Sequence, residues 1–278
     1  MSSLVEFLRR VGAQPRVVPL TALILRARTV RQPLAFALRE LFGRRGCFRY
    51  QLRSAPDNHV LVRHGTGDVV TIGEVFHTLD YMPPAEVEDL FSESGPRRIL
   101  DLGANVGYAG AFFADRWPDA QITAYEPDPG NAAVHEALIS ADGLESRWQL
   151  RQAAAGNRET VVEFVAGGAA LSRIAAIGRQ RGDGEELIAV DVHDVLPEIA
   201  EADLLKIDIE GGEWAILGDP RFSEAPPRCL AMEYHPEGCP ERDPAATAHK
   251  LLEQAGLTVR QMWQHDHGAG MVWAWRER

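Results

Sequence analysis

The sequence predicts an α/β fold, a doubly wound and mostly parallel sheet with helices on both faces, preceded by an N-terminal extension of helices and short strands. Three observations predict it. From Gly95-Pro96 onward, short apolar runs alternate with amphipathic stretches, the pattern of strand–helix–strand units. The first of these runs, Arg98–Leu102, ends in a glycine-containing turn that opens a helix. The last two runs, Leu257–Trp263 and Met271–Trp275, lie too close for a crossover helix and so must form an antiparallel hairpin at one edge.

The boundary at residue 95 divides the chain into residues 1–95 and 96–278. In the first part, Ser3–Val11 and Pro33–Phe42 have helical apolar spacing, and the second opens on proline at a first-turn position. Phe48–Leu52, Val60–Arg63 and Val69–Ile72 read as short strands separated by Pro56-Asp57-Asn58 and Gly65-Thr66-Gly67. Pro84–Phe91 reads as a helix. In the second part the strands are Arg98–Leu102, Gln121–Tyr125, Trp148–Ala153, Asp203–Ile207 and Arg228–Met232. The helices are Tyr108–Arg116, Asn131–Ser140, Glu213–Leu217 and Pro244–Ala255. Val161–Val165 and Leu187–Val192 look like an inserted hairpin around Gly167–Gly184.

Composition narrows the functional class. With 45% hydrophobic and 25% charged residues, the chain is that of an ordinary soluble globular protein. Its three cysteines form neither a metal-ligand pattern nor a disulfide framework, which points to a reducing, cytoplasmic setting. No run approaches a membrane span and no secretory signal is legible. Net charge is −11, unevenly spread: residues 1–53 hold eleven arginines against two glutamates, a net +9, leaving −20 on the remainder. An acidic body argues against a nucleic-acid substrate. The basic front suits homodimer or intramolecular packing, an acidic partner, or an anionic membrane surface.

Chemistry concentrates in Asp101-Leu102-Gly103-Ala104-Asn105-Val106-Gly107. Glycine in such a turn lets a ligand approach the backbone closely. The dinucleotide pattern G-x-G-x-x-G is missing, and Asp101 would repel a pyrophosphate. A carboxylate there suits a ligand carrying an ammonium and a sulfonium, which S-adenosylmethionine does. Glu126 ends the second strand, 19 residues beyond Gly107, where an acid accepts from both hydroxyls of a ribose.

These residues, with Tyr125-Glu126-Pro127-Asp128-Pro129, resemble the class I S-adenosylmethionine-dependent methyltransferases. Asp203-Leu204-Leu205-Lys206-Ile207-Asp208-Ile209-Glu210-Gly211-Gly212-Glu213 is similar to the FkbM-type branch. The resemblance spans roughly residues 69–275 and implies a Rossmann-like, seven-stranded sheet whose last strand is antiparallel. It implies O-methylation of small molecules, often sugars or polyketide-like products. Gly103, Ala104, Asn105, Gly107, Glu126, Pro127, Asp128 and Asp101 would then contact the cofactor, and Tyr81 and His77 would belong to its lid. The third strand ends at Gln152 and Ala153 without the acidic adenine contact of some related enzymes.

Catalysis on a hydroxyl requires alignment and a proton acceptor or Lewis acid. Asp208 and Glu210 follow the fourth strand, and Glu233 and His235 follow the fifth, so they should converge beside the transferred methyl. Three roles are open to them. His235 could act as base, with rate rising through the histidine range. Asp208 or Glu233 could hold the cofactor ammonium, or the two could share Mg²⁺. Lys206 suits a salt bridge as well as catalysis, and Glu213 suits a helix N-terminus as well as the site. His265-Asp266-His267 resembles a metal cluster but sits in a hairpin turn, and the tryptophans at 263, 273 and 275 suit core packing. An N-methyltransferase and a non-catalytic cofactor-binding partner protein are the alternatives to an O-methyltransferase.

Overall fold

The strands run in chain order as β1 (Gly46–Gln51), β2 (His59–His64), β3 (Arg98–Leu102), β4 (Gln121–Tyr125), β5 (Trp148–Arg151), β6 (Ala154–Gly156), β7 (Thr160–Ala166), β8 (Arg173–Ile174), β9 (Glu186–Asp194), β10 (Leu204–Ile207), β11 (Cys229–Tyr234), β12 (Thr258–Gln264) and β13 (Gly270–Trp275). The computed structural model describes residues 20–43, 46–55, 58–166, 173–174 and 186–277. The expected helix Ser3–Val11 and most of Gly167–Gly184 lie outside those residues.

Seven strands form the central sheet in the order β12-β13-β11-β10-β3-β4-β5. β13 alone runs antiparallel to its neighbours, inserted between β11 and the edge strand β12. Chain order reverses between β3 and β10, and in open α/β sheets ligands bind beyond the strand ends at such a reversal. A four-stranded sheet, β6-β9-β7-β8, contains the expected hairpin, with Val162 opposite Val190.

Alternation along the strands assigns side chains to two faces. Leu100, Leu102, Leu205, Ile207, Leu230 and Met232 pack on one face against Trp214, Phe222 and Leu252. Ile99, Leu204 and Cys229 occupy the other, in one core with Leu23, Phe36, Tyr50, Val75, Tyr81 and Phe91 of the N-terminal extension. By the same alternation Asp101, Lys206 and Glu233 belong to this covered face.

One element departs from expectation. Val69–Ile72 lies in a helix, Asp68–Gly73, that continues as a π-helical turn over Glu74–Thr78. Val69, Ile72 and Val75 are buried at three-residue spacing, so tertiary packing overrides the strand preference of the β-branched residues. The helix Pro33–Leu41 buries Phe36 and leaves Leu34, Leu38, Leu41 and the following Phe42 exposed.

Candidate active site

The turn after β3 is shaped from beneath and from the side. Gly103 has φ +76°, and a Cβ there would lie 1.7 Å from the carbonyl oxygen of Asp208. Gly107 has φ +89°, and its Cβ would meet the His135 ring at 2.6 Å. Only glycine fits either position. The amides of Gly103 and Ala104 both donate to the Tyr125 carbonyl, at 3.0 and 2.9 Å. Asn105, at φ +49°, donates its amide to Glu126 Oε2 at 2.8 Å. The end of β4 thereby fixes the turn on β3.

Glu126 is almost wholly buried. Its Oε1 accepts from the Asp128 amide at 2.8 Å and from the Asn131 side chain at 3.4 Å. Burial pushes its pKa up to about 7 against the lowering effect of those donors. Three accepted bonds leave the carboxylate capacity for another donor, so a ribose hydroxyl fits its chemistry. Asp128 caps the helix Pro129–Ala141, accepting from Gly130 and Asn131. Arg63 of β2 donates to Asn131 Oδ1 at 2.7 Å and is itself held by Asp68 at 2.8 and 2.9 Å. A strand of the N-terminal extension therefore orients the amide that faces Glu126. Pro127 is half-buried, and at the end of β5 Ala153 is buried and Gln152 exposed.

Asp101 is completely buried, and Lys206, its neighbour in the parallel register, stands 3.2 Å away. Lys206 also donates to the carbonyls of Gly103 at 2.6 Å and Leu102 at 3.3 Å. Burial alone would lower the lysine pKa; Asp101 and Asp208 outweigh it and raise it. Lys206 thus compensates Asp101 from within the sheet, directly beneath the turn expected to take the cofactor. A lone lysine in Leu204–Ile207 and a lone acid in Arg98–Leu102 are the sequence signal for the pair.

Asp208, Glu210, Glu233 and His235 do converge. His235 Nε2 lies 4.0 Å from Asp208, 3.8 Å from Glu210 and 3.9 Å from Glu233. Its Nδ1 lies 3.4 Å from Glu213, which is fully buried and accepts from the amides of Gly211 and His235 at 2.9 and 2.7 Å. Trp214 donates its indole N–H to the His235 carbonyl at 2.9 Å. Tyr81 donates to Asp208 Oδ2 at 3.2 Å, joining the N-terminal extension to the cluster.

Burial would lower the His235 pKa, but Glu213, Asp208 and Glu210 outweigh it and push it up to about 10. Asp208, Glu210, Glu213 and Glu233, all within 4.0 Å, favour the imidazolium form near neutrality, so the expected general-base role requires that proton to leave first. Burial, reinforced by Asp208, raises Glu233 well above the usual carboxylate range. One ligand atom each from Asp208, Glu210 and His235 lies within 4.8 Å of the others, a geometry open to a metal ion. Among the described residues, Lys206 and His235 are the cations that face Asp101, Asp208, Glu210, Glu213 and Glu233, so the crevice suits a cationic ligand.

The FkbM methyltransferase domain matches residues 101–256, more than half of the chain. The chain belongs to this family. Membership carries methyl transfer from S-adenosylmethionine as its chemistry. Among solved structures, a precorrin-6y C5,15-methyltransferase from Geobacter metallireducens is similar at 12% identity, over 70% of this chain and 90% of that one, with a TM-score of 0.39. A methyltransferase from Geobacter sulfurreducens is similar at 14% identity over 73% and 78%, TM-score 0.40. The N-terminal domain of EvdMO1 with SAH bound is similar at 16% identity over 69% and 78%, TM-score 0.41. None of the curated proteins matches the sequence. Among the described residues, no helix is long and apolar enough to cross a membrane.

Proposed function

We propose that this family member methylates a hydroxyl on a small molecule, a sugar or polyketide-type intermediate of secondary metabolism, in the cytoplasm. The observation that supports this reading is the convergence of Asp208, Glu210, Glu233 and His235 at the ends of the adjacent strands β10 and β11. S-adenosylmethionine, when bound, supplies an electrophilic methyl on a sulfonium. Glu126, with Pro127 and Asp128, would hold its ribose, and Gln152 and Ala153 would border its adenine. Gly103, Ala104, Asn105 and Gly107 would admit its methionine part, which the acidic crevice attracts. Asp101 supports the turn from beneath through Lys206. Glu233, in its ionised form, accepts the proton of the acceptor hydroxyl; the His235 imidazolium holds Asp208, Glu210 and Glu233 in place around it. The N-terminal extension reaches the crevice through Tyr81, which steadies Asp208.

The test is transfer of labelled methyl to a panel of sugars, hydroxylated polyketides and amines. Hydroxyl methylation that falls about 10²- to 10⁴-fold in Glu233→Gln, with cofactor affinity kept, supports the reading. Methylation of amines alone favours the N-methyltransferase alternative, and cofactor binding without turnover on any acceptor favours the partner protein.

A second reading rests on the Asp208, Glu210 and His235 triad, which would hold a divalent cation that acidifies the hydroxyl. The histidine suits Mn²⁺ or Fe²⁺ better than the Mg²⁺ expected for an all-oxygen set. Turnover abolished by EDTA and restored by one of these ions favours it; turnover unchanged by EDTA rejects it.

A further inference from the structure

Six of the nine large hydrophobic side chains exposed among the described residues lie between Leu20 and Phe42. Leu34, Leu38, Leu41 and Phe42 are 71, 42, 57 and 78% exposed. Their spacing places them on one side of the helix Pro33–Leu41 and its C-cap, opposite the buried Phe36. Leu20 and Ile24 are exposed one turn apart on the neighbouring helix, Leu20–Ala27. An apolar stripe of this kind on a soluble surface marks an interaction site. Its setting is basic: residues 20–53 contain eight arginines and one glutamate, and Arg28 and Arg31, between the two helices, are exposed.

Charge and apolarity together select the occupant. Two copies docked face to face through this surface would set its arginines against their own kind. One copy docked on the acidic body of another would need an apolar counterpart there. The other exposed large hydrophobics among the described residues are Leu79, Val161 and Met262, far apart along the chain. An anionic lipid surface offers both requirements at once, an apolar layer for leucine and phenylalanine and a negative charge for arginine. The −20 charge on residues 54–278 would be repelled by such a surface, so only this end could approach.

We propose that the helix Pro33–Leu41 with Phe42 is a peripheral docking face for an anionic phospholipid surface, approached with the N-terminal extension foremost. It is independent of which acceptor the enzyme methylates. The experiment is co-sedimentation of the full chain with vesicles of phosphatidylcholine alone or mixed with phosphatidylglycerol, at low and high salt. Binding is expected to the mixed vesicles only and to weaken with salt. The Leu38→Ser/Phe42→Ser variant is expected to lose about tenfold or more in partitioning, as two of the anchoring side chains are removed. Its cofactor affinity and melting temperature, measured alongside, should match the parent chain, because neither side chain is buried. Failure of the parent chain to bind the mixed vesicles would overturn the proposal. So would binding that the double substitution leaves unchanged, or a dimer seen by light scattering that the same substitution dissolves.

Discussion

Glu213 accepts the backbone amide of His235 at 2.7 Å with one carboxylate oxygen and that of Gly211 at 2.9 Å with the other. The loop after β10 and the end of β11 are thus tied through a single buried side chain. Glu213→Gln retains one acceptor oxygen and turns an NH₂ toward the second amide. A loss of about 1 to 3 kcal/mol in urea unfolding is expected, the range for one buried donor left unpaired. With the neighbouring charge gone, the His235 imidazolium should titrate lower, which NMR of its ring protons would show; an unmoved titration would mean that Glu213 does not sustain that charge.

Glu126 should make both stability and cofactor binding depend on pH. Its folded pKa of about 7 is above the ordinary value, so between about 4.5 and 7 the native state holds a proton that the unfolded chain releases. Its contribution to stability is therefore fully present below the ordinary value and is lost as pH rises through 7. Cofactor affinity should move the other way, since hydroxyl donors favour the ionised acid. Calorimetry at pH 6 in buffers of different ionisation enthalpy should detect proton release on binding. Glu126→Gln should remove that release and weaken binding by about 1 to 3 kcal/mol.

Two glycines with similar φ separate backbone strain from steric conflict. Gly65, at φ +78°, has nothing within 4 Å of where an added methyl group would sit, whereas Gly103 meets the Asp208 carbonyl. Gly65→Ala should cost about 1 kcal/mol for the left-handed conformation alone. Gly103→Ala should cost clearly more and abolish cofactor binding, because β10 and the turn must separate. Thermal melting and calorimetry of the two variants would check this; equal losses would contradict it.

Lys206→Met should be among the most damaging single substitutions in the sheet. It strands the buried Asp101 carboxylate, and breaking such a pair costs about 3 to 5 kcal/mol. Adding Asp101→Asn should recover part of the loss. Denaturation of both single variants and the double gives the coupling directly, and additive effects would exclude the pair as a unit.

The central sheet is legible in the sequence because its strands are short apolar runs closed by glycine, proline or acid. Arg98–Leu102, Gln121–Tyr125, Tyr108–Arg116 and Glu213–Leu217 match their predicted limits. Val69–Ile72 misleads because four β-branched and polar residues cannot reveal a three-residue burial period. β6 is hidden because Ala154–Gly156 is three small residues that pair with Val192–Asp194 of β9, 38 positions later. In the candidate site, Asp208 and Glu210 are legible from their place after β10, and Glu233 and His235 from the end of β11. The proton on His235 is not, since it depends on Glu213 folding back against the ring. Arg63 is invisible for a similar reason: its hydrogen bond to Asn131 spans 68 positions and follows no motif.

That last contact constrains how the protein can be re-engineered. Asn131 links Glu126 to Arg63, so the N-terminal extension supports the acid expected to grip the ribose, while its Tyr81 reaches Asp208 in the acidic crevice. A chimera that borrows residues 20–91 from a relative to gain a new acceptor would import a new support for Glu126 as well. On the proposed reading acceptor choice and cofactor grip are inherited together, and separating them requires Arg63 and Asp68 to stay with the host.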